Sequence, residues 1–156
     1  MMRVFVDSST MIALLSIGRL DLLRDLLGEV CVTPEVVAEV TAKEGPQKEA
    51  FHGAMAGWIK VVETKGDLER YLKQGLGRGE ASIFLSRDRL IVDDRVARTL
   101  AQAEGRDFTG LLGLMVAGAD AGLLKKKEAL QVLDELVESD FRVSTPLYKE
   151  LRKRWE

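Results

Sequence analysis

The sequence predicts an α/β fold in which helices cover both faces of a central parallel sheet of four to five strands, giving three layers. Short apolar runs rich in β-branched residues alternate with amphipathic helical patterns along the whole chain. This alternation is typical of parallel α/β domains. Because the crossovers in such a sheet are right-handed, the carboxyl ends of all strands should meet at one edge.

The composition indicates one ordinary domain, residues 1–156, with a substantial core. The chain is 46% hydrophobic and 31% charged. Its formal net charge of −2 is no general signal of polyanion binding, so nucleic acid would need a local basic patch or bound metal. Cys31 is the only cysteine, which excludes a disulfide framework and a cysteine zinc site. We expect Cys31 to be buried and His52, the only histidine, to have a surface or packing role.

The strands and helices follow from apolar periodicity and cap residues. The predicted strands are residues 2–6, 29–33, 58–62, 90–92 and 107–109. Helices are predicted over 20–27, over 34–43 with Thr33 as the cap, and over 110–122, and a loose helix is expected within 43–57. Further helices are predicted to begin after Asp7, at Glu80, near 125 and at Pro146, and the helix that follows the fourth strand is predicted to end at Gly105.

Residues 65–79, KGDLERYLKQGLGRG, are expected to form a charged connection with a flexible hinge that positions Glu80. Its glycines do not fit the G-x-G-x-x-G register of a dinucleotide loop, and no strand runs directly into the segment. The longest apolar run, 111–119, is too short to span a bilayer. Since no signal-peptide pattern precedes the first strand, we expect a cytoplasmic protein without membrane contact.

Acidic residues stand where two predicted strands end. Asp7 follows the first strand, and Asp93 and Asp94 follow the fourth. Ligands of open α/β sheets bind outside the carboxyl ends of the strands. Asp7 could simply cap the next helix. Because Ser8 or Ser9 could cap equally well, the acid at this position favours a functional role.

Two helices can add acids to the same edge. Glu80 shares a helix face with Ile83 and Phe84, and the free N–H groups of the first turn favour a carboxylate there. Glu35 and Glu39 both border the buried stripe of the third helix, and their spacing does not choose between them.

Several carboxylates at one edge raise one another's pKa values, and a divalent cation would relieve this repulsion. Ligation by oxygen alone points to Mg²⁺ or Mn²⁺. Such an ion can activate a water and stabilise charge on a phosphate. The pattern therefore predicts metal-dependent chemistry on phosphate groups.

The ordered segments of this chain resemble the PIN-domain nucleases, the fold of VapC-type toxins and related ribonucleases. These segments are VFVDSSTMIALLSIGRLDLL, VCVTPEVVAEV, GRGEASIFLS, LIVDDRVARTLAQAEG, FTGLLGLMVAGADAGLL and LDELVESDFRVSTPLYKEL. They cover nearly the whole chain and are most similar to a prokaryotic subgroup of the family.

The resemblance assigns the catalytic acids to Asp7, Glu39 rather than Glu35, Glu80, and Asp93 or Asp94. Asp7, Glu80, Asp93 and Asp94 are the expected metal ligands. The family often has Asp at the position of Glu80.

Two hydroxyl residues follow Asp7 in the resembling segment. Thr10 stands where the subgroup often has Pro, a difference expected to matter little. The Ser9 hydroxyl is expected to assist the acids.

The resemblance also implies an activity and partners. It implies a Mg²⁺- or Mn²⁺-dependent endoribonuclease acting on RNA, and commonly a homodimer, here through part of 111–124. It leaves open a role as the toxin of a toxin–antitoxin pair, with an antitoxin protein as partner. Arg152, Lys153 and Arg154 are a candidate nucleic-acid contact.

Three alternatives compete with this interpretation. A phosphatase of the haloacid-dehalogenase type would use Asp7 as nucleophile and Asp93 and Asp94 on metal, but it needs a second Asp where Ser9 stands. A catalytically inactive PIN-like protein would bind a partner only. Finally, all the acids could merely cap helices, although four at one edge would be unusual.

Overall fold

A computed structural model, which describes residues 2–42 and 44–156, contains a five-stranded parallel sheet in the order β3-β2-β1-β4-β5. The strands are β1 (Val4–Val6), β2 (Val30–Val32), β3 (Ile59–Val61), β4 (Arg89–Ile91) and β5 (Phe108–Thr109). The predicted parallel α/β fold with helices around the sheet is thus confirmed. Each strand lies within a residue or two of its predicted position.

Helices connect every pair of successive strands. They are α1 (Ser8–Ser16), α2 (Asp21–Leu27), α3 (Pro34–Val40), α4 (Pro46–Met55), α5 (Leu68–Leu72), α6 (Arg78–Phe84), α7 (Arg95–Ala103), α8 (Leu111–Asp120), α9 (Lys126–Glu138) and α10 (Thr145–Trp155). The loose helix expected within 43–57 forms as α4, and Lys43 lies outside the described residues. No helix of the described residues is long and apolar enough to cross a bilayer.

The core lies on both faces of the central strands. Phe5 and Val6 of β1 and Leu90 and Ile91 of β4 are completely buried, which explains why these strands read as continuous apolar runs rather than alternating ones. Cys31 of β2 is buried among apolar side chains, as predicted. Because all strands are parallel, their carboxyl ends meet at one edge, and Asp7 follows the central strand there.

The connection expected as a flexible hinge at 65–79 is instead a packed segment. It contains α5, whose first turn is capped by Asp67 through a hydrogen bond from the Arg70 N–H. Tyr71 is buried with its ring centroid 5.3 Å from that of Phe84. The prediction missed α5 because five residues are too few to show a helical period. The next helix, α6, begins at Arg78, so Glu80 is its third residue rather than its first.

A buried polar contact joins α3 to α6. The Ser82 hydroxyl donates to the Gly79 carbonyl at 2.6 Å and lies 2.6 Å from the Thr33 hydroxyl. A serine hydroxyl has one proton, so Thr33 must donate to Ser82. The Thr33 oxygen also accepts the Val36 N–H, which makes Thr33 the N-cap of α3, as predicted. This contact fixes the two helices that carry Glu39 and Glu80.

The glycines of α8 serve packing within the chain. A Cβ on Gly118 would collide with the Leu26 side chain of α2. Leu111, Leu114 and Met115 on the same helix are buried in the core. The close approach at Gly118 is therefore made by a neighbouring helix of the same protomer.

We predict that Thr33→Val lowers the free energy of unfolding by roughly 1–3 kcal/mol, because it removes a helix cap and leaves the buried Ser82 hydroxyl without its donor. The matched control is Thr99→Val on the exposed face of α7, which should stay within about 0.5 kcal/mol of wild type. Urea unfolding followed by circular dichroism measures both. Equal effects of the two substitutions would contradict the structural role of Thr33.

Candidate active site

The Asp7 carboxylate is completely buried at the end of β1. One oxygen accepts the Thr10 N–H at 2.8 Å, and the other accepts the Asp93 N–H at 3.0 Å. Asp7 is therefore the N-cap of α1. The expectation that Ser8 or Ser9 could cap this helix equally well is wrong, because Asp7 itself forms the cap and also links β1 to the loop after β4.

Asp93 lies beside Asp7 and ties three elements together. Its Oδ2 accepts the Thr10 hydroxyl at 2.5 Å, and its Oδ1 accepts the Leu111 N–H, at the first residue of α8, at 3.0 Å. Thr10 thus binds one acid through its backbone and the other through its side chain. The expectation that this residue matters little is wrong for this chain.

Asp94 has a different position from its neighbour. Its side chain caps α7 by accepting the Ala97 N–H at 3.1 Å. The sequence alone did not distinguish Asp93 from Asp94. The structure does, because the side chain of Thr10, whose N–H donates to Asp7, donates its hydroxyl to Asp93.

Glu39, near the end of α3, is held at the same edge by two donors. Its carboxylate accepts the Ser8 hydroxyl and, at 3.2 Å, the Gly79 N–H. A Cβ on Gly79 would collide with the Glu39 carboxylate and lie 2.9 Å from the Ser8 oxygen. Glycine is required at position 79 so that α6 can approach α3 this closely.

Glu80 lies in the first turn of α6, where its Oε1 accepts the Gly77 N–H at 3.0 Å. Burial raises the pKa of the Glu80 carboxyl, and repulsion from Asp94 and Glu39 adds to this shift. Asp94 and Glu39 are therefore near enough to Glu80 to affect its ionisation, as Asp93 is for Asp7.

The strongest electrostatic perturbation is at Asp7. Burial raises the pKa of its carboxyl to about 7, and repulsion from Asp93 adds to this, while the hydrogen bonds from Thr10 and Asp93 act in the opposite direction. Burial also raises the pKa of Asp93, against the attraction of Arg98. A buried carboxyl with a neighbouring acid and such a pKa is the type of group that marks functional sites.

The donor set fits a hard cation. Every candidate ligand is a carboxylate or hydroxyl oxygen, as Mg²⁺ and Mn²⁺ prefer. No three acidic, histidine or cysteine side chains of residues 2–42 and 44–156 are arranged to enclose an ion by themselves. Mg²⁺ does not require such a cage, because it commonly keeps several waters and binds through one or two carboxylates and substrate phosphates. Asp7 and Asp93 are two neighbouring carboxylates of the kind that such a site uses.

A cleft of about 560 Å³, here called the acid cleft, opens beside these residues. Ser9, Asp93, Asp94 and Arg95 line one side of it, and residues 140–142 line the other. The exposed Ser9 faces the cleft, whereas Ser8 is buried against Glu39.

Arginines surround the acids, and the sequence analysis did not single them out. Arg95 and Arg142 line the acid cleft, and Arg98 lines two further clefts that also reach Asp93. The available signal was the spacing of Arg95 and Arg98, which places both on one face of the helix after the acids.

The terminal helix, by contrast, has two of its basic residues engaged with acids. Arg152 pairs with Asp134 at 2.9 Å, and Arg154 pairs with Asp120 at 2.7 Å. Two of the three basic residues of the candidate nucleic-acid contact at 152–154 thus already have acidic partners.

A family model described as a PIN domain matches residues 3–156, which include every residue of the site. No curated protein matches the chain.

We predict that stability without metal falls as pH rises through the acidic range. The native Asp7 carboxyl keeps its proton up to about pH 7, whereas an unfolded Asp loses it near 3.8. The native state therefore binds more protons between these values, so the free energy of unfolding falls with pH there and levels off above. The raised pKa values of Asp93 and Glu80 act in the same direction.

Chemical unfolding between about pH 5 and 7.5, in chelator, measures this slope. One titrating carboxyl changes the free energy of unfolding by at most about 1.4 kcal/mol per pH unit. Asp7→Asn should remove most of the change that Asp7 contributes. The control Asp21→Asn, an exposed acid of α2, should keep the wild-type slope. Parallel profiles for wild type and Asp7→Asn would show that Asp7 does not titrate in this range.

Proposed function

Because this chain belongs to the PIN-domain family, whose members are generally nucleases, we propose that it is a Mg²⁺- or Mn²⁺-dependent endoribonuclease that hydrolyses RNA phosphodiesters. The observation that carries this proposal is the buried Asp7–Asp93 pair at the carboxyl edge of the sheet, beside a cleft lined with arginines.

Asp7, Asp93, Asp94 and Glu80 would hold the metal. Enzymes of this family typically use divalent ions, and such an ion supplies an activated water and stabilises charge on the phosphate. Support comes from the raised pKa values of Asp7 and Glu80, where repulsion from neighbouring acids adds to the effect of burial.

The remaining polar residues orient these acids. Thr10 fixes Asp93 through its hydroxyl, and the Gly77 N–H fixes Glu80. Glu39 completes the catalytic acids and is oriented by Ser8 and by the Gly79 N–H. The Ser9 hydroxyl, which lines the acid cleft, is the group of this segment most open to a bound strand.

The arginines around the acids would bind the phosphates of the substrate. The chain has a net charge of −2, so attraction of RNA must be local. Arg95, Arg98 and Arg142 provide positive charge on the clefts that contain Asp93. They would place the sugar–phosphate chain of a single strand across the acids.

The phosphatase alternative is disfavoured by Ser9, which occupies the position where that family needs its second Asp. A binding protein without catalysis would have no need of two acids side by side at the carboxyl edge of the sheet.

The finer biological assignment follows the resemblance alone. We place the enzyme in the cytoplasm, where it would act on cellular RNA as the toxin of a toxin–antitoxin pair, with an antitoxin protein as its partner.

We predict that wild type cleaves single-stranded RNA with Mg²⁺ or Mn²⁺ and that Asp7→Asn abolishes cleavage, since Asn removes the charge at the centre of the site. Asp21→Asn should cleave like wild type. Gel analysis of labelled RNA and a small phosphate ester tests this. Equal cleavage by wild type and Asp7→Asn would assign the activity to a contaminant, and turnover of the ester alone would favour the phosphatase.

Millimolar Mn²⁺ should raise the melting temperature of wild type and raise that of Asp7→Asn much less. An ion that binds only the native state adds about 2.7 kcal/mol when its free concentration is a hundred times its dissociation constant. Thermal melts at pH 7, with Asp21→Asn as control, measure this. An unchanged wild-type melting temperature would remove the case for a metal site.

We also predict a homodimer that uses part of 111–124. Leu123, within this segment, is 57% exposed. Sedimentation of wild type at high micromolar concentration should give twice the monomer mass, and Leu123→Glu should weaken association. A monomer throughout would contradict the dimer.

A further inference from the structure

A pocket of about 240 Å³, here called the apolar pocket after its apolar wall, lies beside the acid cleft. That wall comes from α8, from the segment 141–144 and from α10, and it comprises Leu112, Val116, Phe141, Val143, Leu147 and Leu151. The rest of the lining is polar and includes Asp93, Arg98, Thr109, Arg142 and Ser144. The nuclease activity proposed above requires acids and cations, and it gives this apolar surface no role.

Phe141 and Arg142 form a common wall of the two cavities. Both residues line the acid cleft as well as the apolar pocket, and Asp93 also reaches both. A substrate whose phosphate lies at the acids could therefore insert the adjoining group into the pocket without leaving the cleft.

The end of α9 fixes Phe141 independently of the pocket. Asp140 has the left-handed φ of 70°, and its N–H donates to the Val137 carbonyl at 3.2 Å. The Phe141 N–H donates to the Leu136 carbonyl at 3.0 Å. These two bonds form a Schellman motif, which places the residue after the left-handed position against the helix. Phe141 is thus held at the cavity wall by the backbone.

The chemistry of this wall suits a nucleobase. Unpaired bases of RNA stack on aromatic rings and on guanidinium planes, and the same strand presents phosphates to arginines. The Phe141 ring and the apolar side chains of the pocket suit a base, and the adjoining arginines suit the phosphate of the same nucleotide. An aliphatic ligand would use only the apolar side chains, and a wholly charged ligand would use only the arginines.

We propose that the pocket binds an unpaired base of the RNA strand, next to the phosphodiester at the acid cleft, with Phe141 as the residue on which the base stacks. This proposal rests on the proposed ribonuclease function for the identity of the strand. It makes Phe141 a specificity-determining residue.

The test is a titration of isotope-labelled protein, followed by the backbone amide resonances, with nucleoside 5′-monophosphates and with ribose 5-phosphate. The nucleotides should shift the amides of 141–144 and of Thr109 and Gly110 in a saturable way. Ribose 5-phosphate, which has the phosphate but no base, should shift the amides near the phosphate-binding Arg142 and leave those of Val143 and Ser144, which line only the pocket, unchanged. Equal shifts from both ligands, or no shift from the nucleotides, would overturn the proposal.

Substitutions at Phe141 separate stacking from folding. Phe141→Ala should raise the nucleotide dissociation constant about tenfold, the range expected for loss of one stacking contact. Phe141→Tyr keeps the ring and should bind like wild type. Val137→Ala, at a 40% exposed position of α9 that does not line the pocket, is the matched control. Equal affinities of Phe141→Ala and Phe141→Tyr, both folded, would contradict stacking.

A parallel cleavage assay distinguishes the two proposals. RNA cleavage without nucleotide-induced shifts would overturn the base pocket and leave the nuclease intact. Nucleotide shifts without cleavage would overturn the nuclease and leave the pocket intact. N-acetylphenylalaninamide serves as a probe for a protein side chain, and shifts from it but not from nucleotides would assign the pocket to a protein partner and overturn the proposal.

Discussion

The Asp7 carboxylate is buried where the central strand ends, and both its oxygens are taken by backbone N–H groups, one from α1 and one from the loop after β4. This contact sets the start of the first helix and the position of Asp93 at once. It also places two acids side by side, and burial raises the pKa of both carboxyls. The fold thus keeps a destabilising pair of acids, a compromise that is typical of functional sites.

Each acid at this edge has a structural contact as well as a proposed catalytic role. Asp7 and Asp94 cap helices, Glu80 accepts the N–H of a cap residue, and Glu39 accepts the N–H of Gly79. Two hydroxyls, from Ser8 and Thr10, bind the acids that lie on other elements. Capping and metal binding are therefore compatible, because an N-cap uses one lone pair of a carboxylate that has several.

Much of the fold was predictable because strand ends and buried runs are local signals. The strands ending at Asp7 and before Asp93 are continuous apolar runs, and parallel topology brings their acids together. Contacts between distant elements were not predictable. Ser8 and Glu39 are 31 positions apart, and Thr10 and Asp93 are 83 apart, so the orienting roles of these hydroxyls depend on the packed arrangement. The arginines near Asp93 were missed for a different reason, because charged residues at helical spacing usually indicate a solvated face. The helix α5 was missed because it is short.

We propose that the acids at the carboxyl edge of the sheet bind a divalent cation. Crystals soaked in Mn²⁺ and measured at a wavelength where manganese scatters anomalously provide the decisive test. We expect an anomalous peak in contact with the carboxylates of Asp7 and Asp93, with Asp94 or Glu80 near it, and loss of that peak in Asp7→Asn crystals. No peak among these acids at saturating Mn²⁺, or peaks only at exposed surface acids, would contradict it.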